Sequence, residues 1–189
     1  MTRSYTLKRR AEQQAETRHR IVEAAVELHG QLGPARTPFS MVAERAGVQR
    51  KTLYAHFPDE RALQLACSAH AFGADPPPDA EGWAGIGDPY ERLSVALSAL
   101  HQWYGRNAKL LAAVLRDAEY DALTRETVEL RFGPLLARYR QVLGSGFNRA
   151  QQALVSLALA FSSWRILVEA GLERDVAIDA LVQGVRGAG

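Results

Sequence analysis

The sequence predicts an all-α fold in two modules: a three-helix N-terminal module followed by a larger C-terminal helical bundle. Three observations carry this prediction. Apolar residues recur at helical spacing along most of the 189 residues. No Val/Ile/Thr-rich alternating segment stands between breakers, so no sheet is expected. Glycine and proline punctuate the chain at intervals that suit short and medium helices.

The first helix is expected over about Lys8 to Gln31, where Ile21, Ala25, Leu28 and Leu32 form one stripe. Gly33-Pro34 stops it. A short helix follows over Pro38–Ala46, with Thr37 as its N-cap and Pro38 at the first helical position. Gly47 breaks that helix. The next one covers about Gln49–Ala55, and a fourth runs from about Asp59 to Phe72. Gly73–Pro89 is rich in Gly and Pro without apolar period and reads as a long loop or linker. Asp88 then caps a helix to about Gly105, with Leu93, Leu97, Leu100 and Tyr104 on one stripe. Further helices are expected at 107–119 and 121–143, a long apolar one at Phe147–Ala170, and a last one at about 173–186.

Composition excludes several classes. One cysteine, Cys67, rules out a disulfide framework and a Cys-rich zinc module and fits a reducing compartment. No apolar run reaches the roughly 20 residues needed to cross a bilayer, and the N-terminus lacks the apolar core of a signal peptide. A cytoplasmic protein without membrane partners is therefore expected. Charge is unevenly distributed. Residues 1–72 hold 11 Lys+Arg and 7 Asp+Glu, whereas the remainder holds 12 and 14. Arg3, Lys8, Arg9 and Arg10 crowd the first ten residues. This basic end suits either an anionic partner or a solubilising tail.

The informative segment is Thr37–Phe57, TPFSMVAERAGVQRKTLYAHF. It reads as helix, tight turn at Gly47, helix, with polar and cationic residues at the start of the second helix. That is the layout of a helix-turn-helix, whose second helix inserts its N-terminal side chains into a major groove. The competing reading is a structural hairpin with a solvated end. The longer stretch AGVQRKTLYAHFPDERAL resembles the DNA-binding domain of the tetracycline-repressor (TetR/AcrR) family over about residues 10–65. Thr37, Val42-Ala43, Ala46-Gly47-Val48, Thr52-Leu53-Tyr54 and His56-Phe57 all fall in register. The rest of the chain resembles that family only in length and helical pattern.

The resemblance implies a DNA-binding domain over 1–58 and a ligand-binding and dimerisation domain over 59–189. It implies that Thr37, Tyr54 and His56 hold DNA phosphates and that Gln49, Arg50, Lys51 and Thr52 face base edges. The chemistry agrees, since Arg and Lys can donate to guanine, Gln can pair with adenine, and hydroxyls suit phosphates. Arg9 and Arg10 become minor-groove or backbone contacts. Two departures stand out: Lys51 occupies a position that usually holds a small residue, and Glu60-Arg61 reverses the usual Lys-Glu order, so that the resemblance leaves Arg61 to replace the phosphate contact often made by that lysine. The partners implied are a palindromic double-stranded DNA operator, a small-molecule effector of unknown identity, and a second copy of the chain joined through the last two helices.

For the effector, His101 and Arg165 stand on otherwise apolar stripes, and Trp103, Tyr104, Tyr120 and Trp164 supply aromatic walls. The plainer alternative makes His101 a hydrogen-bonded core residue and pairs Arg165 with Asp117 or Glu169. The expected function is a ligand-responsive transcriptional regulator, most often a repressor in the family it resembles. The alternative is a helical-bundle enzyme, or a ligand-binding module without DNA function. For an enzyme the chain offers only fragments. Glu16-x-x-His19 is a single copy of a motif that di-iron bundles need twice. Cys67 with His70 sits in an apolar stripe, and Gly82, Gly85 and Gly87 follow no strand. No catalytic residue, metal site or cofactor is expected.

Overall fold

The computed structural model describes residues 2–189, with side chains from Leu7 onward. Every regular element among the described residues is a helix. In order the α-helices are α1 (Thr2–Gln31), α2 (Phe39–Arg45), α3 (Arg50–His56), α4 (Glu60–Ala74), α5 (Glu81–Ala84), α6 (Pro89–Ala118), α7 (Ala122–Leu143), α8 (Arg149–Ala158), α9 (Phe161–Glu169) and α10 (Arg174–Arg186), with a 3-10 turn at Pro34–Arg36 between α1 and α2. None of the described helices is long and apolar enough to cross a membrane.

The chain forms two compact units. The first comprises residues up to Ala74 together with Ala112–Glu129; the second comprises Asp75–Leu111 and Leu130–Gly189. In the first unit α1 packs on α2 and α4, and α2 packs on α3. Ile21, Val22, Ala25 and Leu28 from α1 meet Val42, Ala43, Leu53, Phe57, Leu63 and Cys67 in one buried core. Each large aliphatic side chain buried there contributes about 1.5–3 kcal/mol relative to exposure. In the second unit α8 packs on α9 and α10. Leu93, Leu97, Leu100, Tyr139, Leu143, Val155, Leu159 and Val185 are fully buried there.

Several element boundaries differ from the sequence expectation. The helices expected at Asp88–Gly105 and 107–119 are one continuous α6. Gly105 costs about 1 kcal/mol in a helix interior, too little to end a helix that buries a long stripe. The expected helix Phe147–Ala170 is two, α8 and α9, separated where Ala160 adopts an extended conformation. There the Tyr104 hydroxyl donates to the Leu159 carbonyl at 2.6 Å. A buried side chain from another helix thus satisfies a carbonyl that a continuous helix would have used. Thr37 is not the N-cap of α2; Pro38 holds that position without a side-chain cap. The Thr37 hydroxyl instead donates back to the Gly33 carbonyl at 2.8 Å. α1 begins at Thr2 rather than Lys8, so the basic N-terminal residues continue the helix.

The Gly/Pro-rich segment between α4 and α6 is anchored rather than loose. It contains α5, whose Trp83 is buried against Tyr139 at 5.0 Å between ring centroids. The Asp75 carbonyl accepts from the Trp103 indole N–H at 2.9 Å, and the Pro78 carbonyl accepts from the Tyr139 hydroxyl. Arg92 is buried and donates to the Ile86 and Ser145 carbonyls at 2.9 and 2.6 Å.

Candidate nucleic-acid interface and aromatic cluster

α3 is seated by its apolar face. Leu53 and Phe57, one turn apart, are 0% and 1% exposed. The turn before it needs Gly47, whose φ of +65° is a conformation that side chains with a Cβ rarely adopt. The Val48 amide donates to the Ala43 carbonyl at 2.9 Å, which closes the turn between α2 and α3. With one face fixed inward, the other is left to solvent. Gln49, Arg50, Lys51 and Tyr54 are exposed, and Thr52 and His56 are half-buried. The helix starts with Gln49 at its N-cap, so the two cations stand in its first turn.

The Tyr54 ring leans on Phe39 of α2, with centroids 5.1 Å apart. Its hydroxyl side remains open, and the residue is 54% exposed. Behind α3, the Arg18 guanidinium lies 4.8 Å from the centre of the Phe57 ring and ties α1 to the end of α3. Arg9 and Arg10 are exposed on α1, whereas the side chain of Arg3 lies outside the described residues. An open cleft of about 610 Å³ is lined by Pro38, Phe39, Ser40, Arg50, Tyr54, Asp59, Glu60, Arg61 and Leu123. Arg50 and Tyr54 share it because residues four apart lie on one side of a helix.

Thr37 itself is buried, and the segment before it is held by a polar network, centred on Asp117, that the sequence did not reveal. Asp117, wholly buried near the end of α6, accepts from the Ala35 amide at 3.0 Å. Its other oxygen accepts from Arg116 Nη2 at 2.7 Å and from the Tyr120 hydroxyl at 2.8 Å. Arg116 also donates to the Leu32 carbonyl at 2.7 Å. Burial alone would raise the Asp117 pKa. The Tyr120, Arg116 and Ala35 donors outweigh burial and hold the carboxyl below the usual range. Beside this network lies His29, 6% exposed, its pKa lowered to about 4 by burial against the opposing pull of Asp117. The network clamps the α1–α2 connection. Gly33, at φ +99°, packs so closely that a Cβ would fall 2.1 Å from Asp117 Oδ2. Adjacent Arg-Asp and a Tyr three residues on were visible in the sequence. Their partner more than 80 residues earlier carried no sequence signal.

Three residues expected around an effector come together in the second unit. Tyr104 is 5.7 Å from Trp103 and 5.9 Å from Trp164 between ring centroids. Phe132 and Phe161 extend the cluster, at 6.2 Å from Trp103 and 5.4 Å from Tyr104. His101 is 3% exposed, and its Nε2 has no hydrogen-bond partner among the described residues. Burial, with Arg174 adding to it, lowers its pKa to about 4, so the imidazole is neutral at physiological pH. Arg165 does not lie on an inward stripe. It is exposed, with Glu169 3.7 Å away. α9 buries only Phe161, so the stripe counted from Phe161 to Val168 leaves the core within one turn. Tyr120 belongs to the first unit, where its hydroxyl is bound to Asp117.

The enzyme fragments find plain structural roles. Cys67 is 3% exposed and burial pushes its thiol up to about 12, which suits a core residue rather than a nucleophile. His19 and His70 stack edge to face at 5.2 Å, and His19 lies 3.3 Å from Glu23. No group of three or more His, Cys, Asp or Glu arranged for a metal occurs among the described residues.

Residues 21–67 match the family profile described as bacterial regulatory proteins of the tetR family. The chain is 34% identical over 107 residues to the HTH-type transcriptional repressor KstR of Mycolicibacterium smegmatis. That match covers 56% of this chain and 52% of KstR, so the chain spans about half the length of this curated relative. Among solved structures, the fatty acid degradation regulator FadR of Bacillus halodurans superposes with a TM-score of 0.65 at 16% identity, covering 90% of this chain and 95% of that one. The Bacillus subtilis regulator FadR, solved in complex with stearoyl-CoA, gives 0.65 at 15% identity, with 88% and 96% covered. A TetR-like regulator from a Rhodococcus species gives 0.63 at 22%, with 90% and 94% covered. These similarities to solved structures concern the fold.

Proposed function

From the match of residues 21–67 to the tetR-family profile and the 34% identity to a repressor over 107 residues, we propose that the chain is a TetR-family, ligand-responsive DNA-binding transcriptional regulator. It binds a palindromic operator as a dimer and acts as a repressor released by a small molecule. The observation that carries this reading is the disposition of α3. One face is locked into the core by Leu53 and Phe57, and its first turn presents Gln49, Arg50 and Lys51 to solvent. Those side chains and Thr52 read base edges, while Tyr54 and His56, with Arg9 and Arg10 on α1, hold phosphates. Thr37 acts mainly by fixing the start of α2, since its hydroxyl is committed to Gly33.

Residues 1–58 form the DNA-binding domain in this reading and residues 59–189 the ligand-binding and dimerisation domain. Leu157, Ile166, Val168 and Val176 on α8–α10 are each more than half exposed. A second copy covers that apolar surface, and a two-fold dimer matches a palindromic operator. The effector site centres on His101, Trp103, Tyr104 and Trp164. An apolar molecule carrying one polar group fits it, because the buried His101 Nε2, which lacks a partner among the described residues, gains one on binding. The long apolar chain and anionic head of the Bacillus subtilis regulator's ligand belong to a compatible class. By linkage, such an effector lowers operator affinity by as much as DNA lowers effector affinity.

The test is selection from a library of fragments of the source genome, followed by titration of the selected duplex at several salt concentrations. A regulator selects one palindromic site, and affinity falls with salt at a log–log slope of about −0.9 per phosphate neutralised. Binding that is undetectable, or independent of salt and sequence, refutes the reading.

A further inference from the structure

Arg61, on the border of the cleft beside α3, makes a contact that operator recognition alone does not call for. Arg61, in the first turn of α4, directs two donors onto a single oxygen of Glu126 on α7. Nε lies at 3.0 Å and Nη2 at 2.6 Å from Oε1. Both side chains are more than half exposed. The guanidinium pKa is raised, by this hydrogen bond first and by the carboxylate's charge second. Arg61 lines the same cleft as Arg50 and Tyr54, and Asp59 and Glu60 line it as well. With Arg61 neutralised by Glu126, the remaining charged lining is one cation, Arg50, against two carboxylates. Asp59 is further committed as an acceptor for the Ala62 amide at 2.7 Å. In this arrangement the cleft is a poor anion site. Freeing Arg61 changes that. Two guanidinium groups and a phenol hydroxyl then border one cavity, a donor set suited to a phosphodiester.

Taking the phosphate contact that the resemblance implies for Arg61 as given, we propose that Glu126 acts as its internal competitor, holding Arg61 until a DNA backbone phosphate displaces it. The inference rests on the DNA-binding reading above and adds a residue outside the helix-turn-helix, on α7, that sets the affinity. The carboxylate stands in for the phosphate: both are anions that accept paired N–H donors from one guanidinium. The exchange carries a modest free-energy difference, because an exposed ion pair is held weakly. Glu126 therefore tunes affinity in small steps and leaves sequence preference to Gln49, Arg50, Lys51 and Thr52.

The test is a double-mutant cycle on the full chain, with binding to a duplex of unrelated sequence and to the selected operator measured by fluorescence anisotropy. Glu126→Gln removes the competing charge while keeping the side chain's size. It should tighten both duplexes by about 1.5- to 5-fold, the range expected for an exposed ion pair. Arg61→Ala should weaken both and reduce the magnitude of the salt slope by about 0.9, the share of one phosphate. In the Arg61→Ala background, Glu126→Gln should have no more than the residual effect of removing one negative charge, which the cycle subtracts. Circular dichroism melting of each variant checks that the fold is kept. Wild-type protein that binds duplex while Glu126→Gln changes nothing overturns the competitor. Equal gains from Glu126→Gln with and without Arg61 also overturn it, since charge alone then accounts for the effect. A wild-type chain that binds neither duplex overturns the DNA-binding reading itself.

Discussion

Lowering the pH from 7.5 to 5 should destabilise the protein through its two buried histidines. His29 and His101 have pKa values lowered from 6.5 to about 4, chiefly by burial. Both are thus neutral in the folded chain throughout this range, whereas the unfolded chain takes up a proton at each below about pH 6.5. Wherever the unfolded state binds more protons, stability falls as pH falls, by about 1.4 kcal/mol per pH unit for each group. The stability is fully present above the unfolded pKa and is lost between about 6.5 and 4. For His29, integration to pH 5 gives a loss of about 2 kcal/mol relative to pH 7.5, and His101 acts in the same direction. Asp75 and Asp117, whose carboxyl groups are held below 3.8, titrate outside the window. Urea unfolding at pH 7.5, 6 and 5 measures the effect. Far-UV dichroism follows the whole chain. Trp83, Trp103 and Trp164 all lie in the second unit, so tryptophan fluorescence follows the unit that holds His101. His29→Gln and His101→Gln should each flatten the pH dependence, whatever they do to stability at pH 7.5. A wild-type stability that is level from pH 7.5 to 5, or a pH dependence unchanged in both variants, would refute the reasoning.

Other expectations are independent of this one. Gly33→Ala should lower stability by at least the roughly 1–3 kcal/mol of a strained backbone position, because φ is +99° and the new Cβ meets Asp117; an unchanged melting temperature would contradict it. Lys51→Ala should relax base preference at one position per half-site by roughly 1–3 kcal/mol, whereas deleting residues 1–9 should weaken all duplexes alike; selection profiles that reverse this pattern would reassign the readers. Ile166→Glu, at a position 63% exposed in the single chain, should yield a folded monomer by sedimentation with weakened operator binding; a variant that stays dimeric moves the interface elsewhere. Arg165→Leu should leave the effector response intact, since Arg165 is exposed beside Glu169; a lost response would restore it to the site.

The sequence alone determined the helical class, the helix-turn-helix and the outward end of α3. These are local properties. Apolar spacing fixes which face of each short helix is buried, and Gly47 fixes the turn, so the exposed Gln49–Lys51 end follows within twenty residues. Breaks and partners depended on tertiary contact. Gly105 looked like a terminator, yet the buried stripe of α6 outweighs a glycine's propensity. Leu159-Ala160 looked helical, yet the Tyr104 hydroxyl takes the Leu159 carbonyl and Phe161 packs on the Tyr104 ring. Likewise Arg165 satisfied an inward spacing that holds only if α9 stays buried past its first turn. The Asp117 clamp on Gly33–Ala35 and the Arg61–Glu126 pair join residues more than 60 positions apart. No periodicity encodes such pairs, because a hydrogen bond depends on where two side chains meet in space and not on their spacing along the chain.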